Sequence, residues 1–245
     1  MAKLSVSVIG HNEERNLPRC LDSVKWADEL VFVDCGSSDA TAQVARRYTA
    51  NVFSRENDPN LNVNKQFGID KCSGEWVLYL DPDEAVTDEL RDEIRATLAV
   101  PVTFSAFLLP RRNNYFGRWL RRGGKYPDEQ LRLFKKGSAS FPCGDVHERL
   151  SVRGETGRLG APLDHYPYAD ASDAVRKIDF YSSVKAVKFH REGKPFQFFR
   201  GPRRFFYNYF FKAGFLDGWQ GFAAAVTDLF SETLACMKYM EKTGQ

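Results

Sequence analysis

An α/β fold, with a mostly parallel central sheet flanked by helices, is the architecture this sequence predicts. Three observations predict it. Short apolar, β-branched runs alternate with helix-like segments through residue 110. Two of the runs, LVFV at 30–33 and EWVLYL at 75–80, are almost wholly apolar, as strands covered on both faces are. Each of these two runs is followed by an aspartate, Asp34 or Asp81. In such a sheet the ligand site lies beyond the carboxyl ends of the strands, where crossovers are right-handed.

The elements follow in order. Residues 4–9 (LSVSVI) alternate apolar and polar and read as a strand. His11-Asn12-Glu13-Glu14 follows, then a helical pattern with Leu17, Leu21 and Val24 on one face. The strand at 30–33 opens into the turn-rich stretch Asp34 to Asp39, and Thr41 to Tyr48 reads as a helix. Val52-Phe53 is a short strand and 62–72 a helix. The strand at 75–80 ends in Asp81-Pro82-Asp83-Glu84. A helix from Thr87 to Leu98 is capped by Thr87, and Phe104 to Leu109 is a further strand. Residues 111–136 hold nine Lys/Arg and three glycines, and read as a long loop leading into a strand at Gln130–Phe134. Val146 to Val152 reads as a strand and Ser172 to Arg191 as a helix. Residues 196–222 crowd Phe, Tyr and Trp among Arg200, Arg203, Arg204 and Lys212, and a last helix runs from Phe222 to Met240.

Composition narrows the classes. With 245 residues, 43% hydrophobic and 27% charged, the chain can bury a sizeable core and is not a disordered one. No apolar run is long enough to span a bilayer, and Met1-Ala2-Lys3 runs into the first strand without a signal-peptide core. Five widely spaced cysteines without a CxxC argue against a disulfide framework or structural zinc, and for a reducing cytoplasm. Residues 1–170 carry a net charge of −2 and residues 171–245 one of +5. The expected organisation is therefore a catalytic domain over 1–170 and a C-terminal helical extension over 171–245 that faces a membrane or an acceptor.

The sharpest chemical feature is Asp81-Pro82-Asp83. One carboxylate can hold a sugar or ribose hydroxyl while the other takes a hard cation, Mg²⁺ or Mn²⁺, alongside phosphate oxygens. Asp-Pro-Asp is also a common turn, but its place after a buried strand, with a second acidic strand end at Asp34, favours the site. Asp34, Ser37 and Asp39 suit a nucleoside or, equally, a strand-to-helix turn with a capping residue. Asn12-Glu13 admits the same two readings. No GxGxxG follows a strand and no GxxxxGK[ST] occurs, which argues against a dinucleotide site and excludes a P-loop.

SVSVIGHNEERNLPRCLDSV, ELVFVDCGSSDATAQVAR and GEWVLYLDPDEAV, in that order, resemble family 2 glycosyltransferases of the GT-A (nucleotide-diphospho-sugar transferase) fold. KYPDEQLRLFKKGSASF, VHERL and FFKAGFLDGWQGF are similar, more narrowly, to the lipopolysaccharide-core β-1,4-glucosyltransferase group. Gly10-His11 and Pro82 depart from the usual pattern. The resemblance implies a metal-dependent inverting transfer of a hexose, glucose first, from a UDP-sugar to a lipopolysaccharide-core or other lipid-linked glycan. Glu13, Asp34 and Asp39 match the family's nucleoside positions, and Lys65 matches a basic residue near the nucleotide. Asp81 and Asp83 match its DxD pair, with Asp83 on the metal. Asp128 falls where the family places its acidic base, Glu148 is the rival base, and His147 is a candidate metal ligand.

The basic loop reads either as a solvated lid or as a clamp for the diphosphate or an anionic acceptor, since Arg111, Arg112, Arg118, Arg121 and Arg122 suit oxyanions. The aromatic tail reads as an interfacial segment at the inner face of the plasma membrane, as a packed helical subdomain or, least well, as a nucleic-acid platform. No nucleic-acid partner is expected. Two competing functions stand beside glycosyl transfer. A sugar-nucleotide nucleotidyltransferase would need a Gly-rich, basic loop after the first strand, where this chain has His11-Asn12-Glu13-Glu14. A non-enzymatic membrane-binding module would leave the acidic strand ends without a purpose.

Overall fold

The computed structural model describes residues 2–144, 148–191, 193 and 199–243. The chain divides into two compact units, Met1–Arg111 with Glu129–His165, and Arg112–Asp128 with Tyr166–Gln245. The first unit opens with β1 (Leu4–Gly10), α1 (Leu17–Asp22), β2 (Glu29–Asp34), α2 (Thr41–Arg46), β3 (Val52–Ser54), α3 (Leu61–Lys71) and β4 (Trp76–Leu80). After these come β5 (Glu84–Val86), α4 (Asp88–Leu98), β6 (Ala106–Tyr115), β7 (Arg118–Trp119) and β8 (Asp128–Lys135). The short strands β9 (Ala139–Ser140), β10 (Ser151–Val152), β11 (Thr156–Arg158) and β12 (Leu163–His165) follow. Helices complete the chain: α5 (Ala171–Arg191), α6 (Arg200–Phe206), a π-helical turn at Tyr207–Phe211, a 3₁₀ turn at Gly214–Asp217, and α7 (Gly218–Thr243).

The sheet order is β3-β2-β1-β4-β8-β6-β12-β5. The first four strands are mutually parallel, and a helix stands between each of them and the next in the chain, as parallel pairing requires. Beyond them the sheet is mixed: β8 runs antiparallel to β4, and β12 antiparallel to β5. No helix separates β6 from β8, so nothing there provides the crossover that parallel pairing requires. The register puts Gly10 opposite Asp34 and Val8 opposite Leu80. Asp34 and Asp81 therefore flank the carboxyl end of β1, about 10 Å apart across two strand spacings.

β4 alternates strictly between two cores. Trp76, Leu78 and Leu80 pack with Leu17, Leu21, Leu90 and Ile94 on the side of α1 and α4. Val77 and Tyr79 pack with Ile69, Phe134 and Phe141 on the other. Burial on both faces is why the strand reads as one apolar run. α3 lies close on β1 at Gly68, where a Cβ would come within 2.6 Å of Ser7 Oγ. Lys65, Gly68 and Ile69 share that helix face by their i, i+3, i+4 spacing. Since α3 starts at the carboxyl edge of the sheet, Lys65 is delivered to the strand tips.

Several expectations meet corrections. β6 runs to Tyr115, so 111–115 is strand and not loop. Its polar residues hid this, yet Asn113 and Tyr115 are buried, and the Asn113 side chain donates to the Lys125 carbonyl (2.8 Å). Of the strand expected at 146–152, Val146 and His147 lie outside the described residues, and among the described ones Ser151–Val152 is extended into a pair. The last helix begins four residues early, at Gly218. No described helix is long and apolar enough to cross a membrane.

Candidate active site

The DxD segment is built by a network that treats its two aspartates differently. Asp81 follows β4 directly. Its carboxylate accepts from the Tyr79 hydroxyl (2.5 Å), pairs with Arg132 Nη2 (2.6 Å) and has Lys65 Nζ at 3.4 Å. Arg132 comes from β8, with its guanidinium carbon 4.6 Å from the centroid of the Tyr79 ring. The same Nη2 reaches Glu84 Oε1 (2.7 Å), and Arg111 Nη1 lies 3.2 Å from that oxygen. The other Glu84 oxygen accepts from the Asp81 amide (3.0 Å), which closes the Asp-Pro-Asp-Glu turn.

Electrostatics follow from this geometry. Burial alone would raise the Asp81 pKa, but Lys65, Arg132 and the Tyr79 hydroxyl outweigh it and hold the carboxyl well below the ordinary carboxylate range. Burial, then Asp81, pushes the Tyr79 phenol well up. Burial opposes the charge on Arg132, yet Glu84 and Asp81 leave it held more firmly than usual. Asp81 is thus an ionised anchor with both oxygens engaged. Cys20 on α1 registers how closely the acids converge. Burial raises its thiol pKa, and Glu84, Asp83, Asp81 and Glu13 all raise it further.

Asp83 has different company. Its Oδ2 lies 3.6 Å from His165 Nε2. β12 brings that imidazole in by pairing with β5, with His165 opposite Glu84. A carboxylate and an imidazole facing each other at this distance fit a divalent cation whose remaining ligands are phosphate oxygens and water. Among the described residues no group of three or more acidic, His or Cys side chains forms a complete metal cage. His147, the histidine expected to bind metal, lies outside the described residues.

The other predicted residues occupy two loops beside this turn. Asp34 is buried at the end of β2 and accepts from the Ser37 amide (3.3 Å). Asn12 adopts a left-handed backbone (φ 56°), and its side-chain oxygen accepts from the Ser38 amide (2.8 Å). The Glu13 amide donates to Thr41 Oγ1 (2.7 Å), and the Glu13 carboxylate accepts from the Asn16 side chain (2.8 Å). Asp39 accepts from the Glu14 amide (3.2 Å) and from Thr41. Burial works against its charge, but these hydrogen bonds keep its pKa below the usual value. Asn12, Glu13 and Asp39 thereby lace the loop after β1 to the loop after β2, and Asp34 lines the edge they frame.

The two candidate bases are held by different neighbours. Glu148 Oε2 accepts from the Gly144 amide (2.7 Å), and the Glu148 carbonyl accepts from Asn62 (3.0 Å). Asp128 belongs to the second unit and accepts from the Asn113 amide group (3.3 Å).

Tyr79, Glu84, Arg111 and His165 were not singled out for this network by the sequence, and neither was Arg132. Arg132 did carry a signal: one charged residue inside LRLF, an otherwise apolar strand. His165 carried none. Removing the buried arginine takes from Asp81 and Glu84 the guanidinium they share. Arg132→Met is expected to cost about 3–5 kcal/mol of stability at pH 7, measured by urea unfolding. In the wild type the contribution of Asp81 is fully present above its unfolded pKa near 4 and lost as pH falls toward its depressed folded value. The gap between wild type and variant should therefore narrow in strong acid, and a gap unchanged at pH 2 would refute the pairing.

Comparison with known proteins gives the following. Residues 5–147 match the glycosyl transferase family 2 model. A lipopolysaccharide core biosynthesis glycosyltransferase, LpsC of Rhizobium meliloti, is 28% identical over 250 residues, covering 98% of this chain and 92% of its own. An uncharacterized glycosyltransferase of Rickettsia typhi is 29% identical over 259 residues, covering 98% and 88%. Among solved structures, S. aureus TarS 1-349 bound to UDP-GlcNAc aligns with a TM-score of 0.52 at 13% identity, over 99% of this chain and 92% of that one. The mannosyltransferase PcManGT of Pyrobaculum calidifontis, bound to GDP-Man and Mn²⁺, aligns with a TM-score of 0.50 at 16% identity, over 99% and 75%. At these identities the structural likeness establishes the fold, which is GT-A.

Proposed function

The chain belongs to glycosyl transferase family 2, and from that premise we propose that it is a metal-dependent, inverting hexosyltransferase. It moves a hexose, glucose in our reading, from a UDP-sugar to a lipopolysaccharide-core or other lipid-linked glycan. The observation that carries this reading is the division of labour in Asp81-Pro82-Asp83: a locked, ionised Asp81 beside an Asp83 that faces His165. The name of LpsC supports the acceptor class. The UDP-GlcNAc bound to TarS supports the donor class. PcManGT, on the same fold, carries a GDP-sugar, so the fold alone does not select the base.

In this reading the acceptor hydroxyl attacks the anomeric carbon in line with the departing diphosphate. Asp34, with Asn12, Glu13 and Asp39 framing its loop, receives the nucleoside. Asp81 orients the sugar or ribose hydroxyls, and Lys65 stands beside it for the phosphates. Asp83 and His165 would hold Mg²⁺ or Mn²⁺, which neutralises charge on the leaving diphosphate. Asp128 takes the acceptor proton, and Glu148 is the alternative base. No covalent nucleophile is required, and binding energy goes to alignment of the two substrates.

The decisive first measurement is thermal unfolding with UDP and Mn²⁺. A nucleotide at about 100 times its Kd should raise Tm by about 5–10 °C, and UDP with a chelator should raise it much less. No shift in either case would sink the reading. Release of UDP and not pyrophosphate separates it from nucleotidyl transfer, and a donor screen on isolated lipid-core acceptors identifies the sugar.

We further propose a peripheral contact of the second unit with the cytoplasmic face of the inner membrane. Phe199, Phe211 and Trp219 are 74%, 83% and 62% exposed. Phe206 stacks on Phe210, and Tyr207 on Phe211, one turn apart, with Arg200, Arg203, Arg204 and Lys212 on the same segment. Aromatic side chains with interleaved cations suit an anionic headgroup layer. Sedimentation with vesicles containing one third anionic lipid should retain the protein, and Phe211→Ser/Trp219→Ser should release it. Equal binding to purely zwitterionic vesicles would remove the cations from the argument.

A further inference from the structure

The second unit holds a cavity that the transfer chemistry above does not use. Its volume is about 510 Å³, and Arg118, Trp119, Arg121, Arg122, Leu216 and Asp217 line it. Small-molecule sites span roughly 300–1,000 Å³. Three guanidinium groups are gathered here, and among the described residues none has a carboxylate within ion-pair distance.

The fold concentrates this charge deliberately. Phe116 and Gly117 turn the chain with positive φ (49° and 82°), and β7 folds back on β6. The buried Leu120 anchors the return by donating to the Asn113 carbonyl (2.9 Å), so Arg118 and Arg121-Arg122 emerge on either side of it. Asp217 is the one acidic residue in the lining, and its Oδ2 accepts from the Arg122 backbone amide (2.7 Å), which ties the loop down. Gly218 has φ +69°, and a Cβ there would lie 3.1 Å from Arg118 Nη1, so glycine leaves Arg118 room across the start of α7.

Trp119 completes the wall. The Arg121 and Arg112 guanidinium carbons lie 4.4 Å and 5.3 Å from its ring centroid, and Tyr126 meets it edge-on at 5.2 Å. Its indole N–H is buried with no acceptor among the described residues. Three clustered cations outnumber the one carboxylate of the lining, repel one another and raise the local concentration of anions. Arginine forks match phosphate and carboxylate in two-point geometry, and an indole offers a flat, rigid apolar surface.

We propose that this cavity takes an acidic sugar: a glycan residue whose phosphate or carboxylate is gripped by Arg118, Arg121 and Arg122 and whose ring lies against Trp119. In function it would be the subsite that recognises a charged residue of the acceptor, and for that identification it rests on the transfer reading.

The chain has four tryptophans, so the ¹⁵N-indole signal of Trp119, assigned with Trp119→Phe, reports directly on the cavity. Mannose 6-phosphate and glucuronate are expected to move that signal saturably, and glucose at the same concentration is not. Inorganic phosphate and glycerol 3-phosphate should bind at least about ten-fold more weakly than mannose 6-phosphate, since they lack the ring that meets the indole. Arg118→Gln/Arg121→Gln should weaken the sugar acids by about ten-fold or more, and Arg121→Lys, which keeps charge but loses the fork, should also weaken them. The proposal is overturned if no acidic sugar moves the signal. It is equally overturned if glycerol 3-phosphate binds as tightly as mannose 6-phosphate, which would mark a lipid-headgroup or free-phosphate site. UDP stabilisation, measured on the same sample, keeps the two readings apart. If UDP fails while Trp119 responds, the transfer reading falls and the acidic-sugar site stands. If Trp119 is silent while UDP binds, only this proposal falls.

Discussion

Asp83→Asn is expected to lower kcat by about 10²–10³-fold with little change in thermal stability. The two carboxylates of the turn differ in what they already hold. Arg132, Lys65 and Tyr79 occupy Asp81, so turning it toward a cation would cost a buried guanidinium one of its two carboxylates. Asp83 faces an imidazole across 3.6 Å. An amide at 83 keeps the shape of the turn and removes the negative charge that a divalent ion needs. The Mn²⁺-dependent part of the UDP stabilisation should vanish with it, and the metal-independent part should remain. Asp81→Asn provides the contrast, since it should lower stability as well as activity. Wild-type turnover by Asp83→Asn would remove this residue from the metal and with it the chemical role given to His165.

Asp128→Asn is expected to reduce turnover by about 10²–10⁴-fold, with UDP-sugar affinity retained. A general base acts only on the acceptor proton, so its loss should appear in kcat and leave nucleotide binding in place. The Asn113 amide group donates to Asp128 Oδ2 (3.3 Å), a contact that orients the carboxylate. Near-normal turnover by Asp128→Asn, with Glu148→Gln inactive, would transfer the role to Glu148, whose Oε2 accepts from the Gly144 amide. The pH profile adds a second readout. The acid limb of kcat/KM should disappear with whichever carboxylate is the base.

The parallel half of the sheet was legible in the residues because its strands are covered on both faces. LVFV and EWVLYL read as buried strands, and two of the flanking helices carry side-chain caps, Asn60 accepting from the Asn62 amide (3.1 Å) and Thr87 from the Leu90 amide (3.1 Å). The strand-end acids Asp34 and Asp81 were legible for the same reason, since a polar residue closing an apolar run marks the sheet edge. The mixed half was legible only in part: the runs at 104–109 and 130–134 mark the cores of β6 and β8. β6 carries polar residues such as Asn113 and Asn114, and β10, β11 and β12 have two or three residues each, too few for a period to show.

Local spacing therefore determined the strands β1 to β4, the helices between them and α4, with the acidic edge those strands create, because burial and capping act over a few residues and leave their pattern in the chain. Pairings between distant segments were decided by the folded structure alone. Arg132 reaches back 51 residues to Asp81, and His165 reaches back 82 to Asp83. Arg118 and Asp217 line one cavity although 99 residues separate them. A contact of that kind depends on strand register and on the packing of distant segments, and neither exists until the chain has folded.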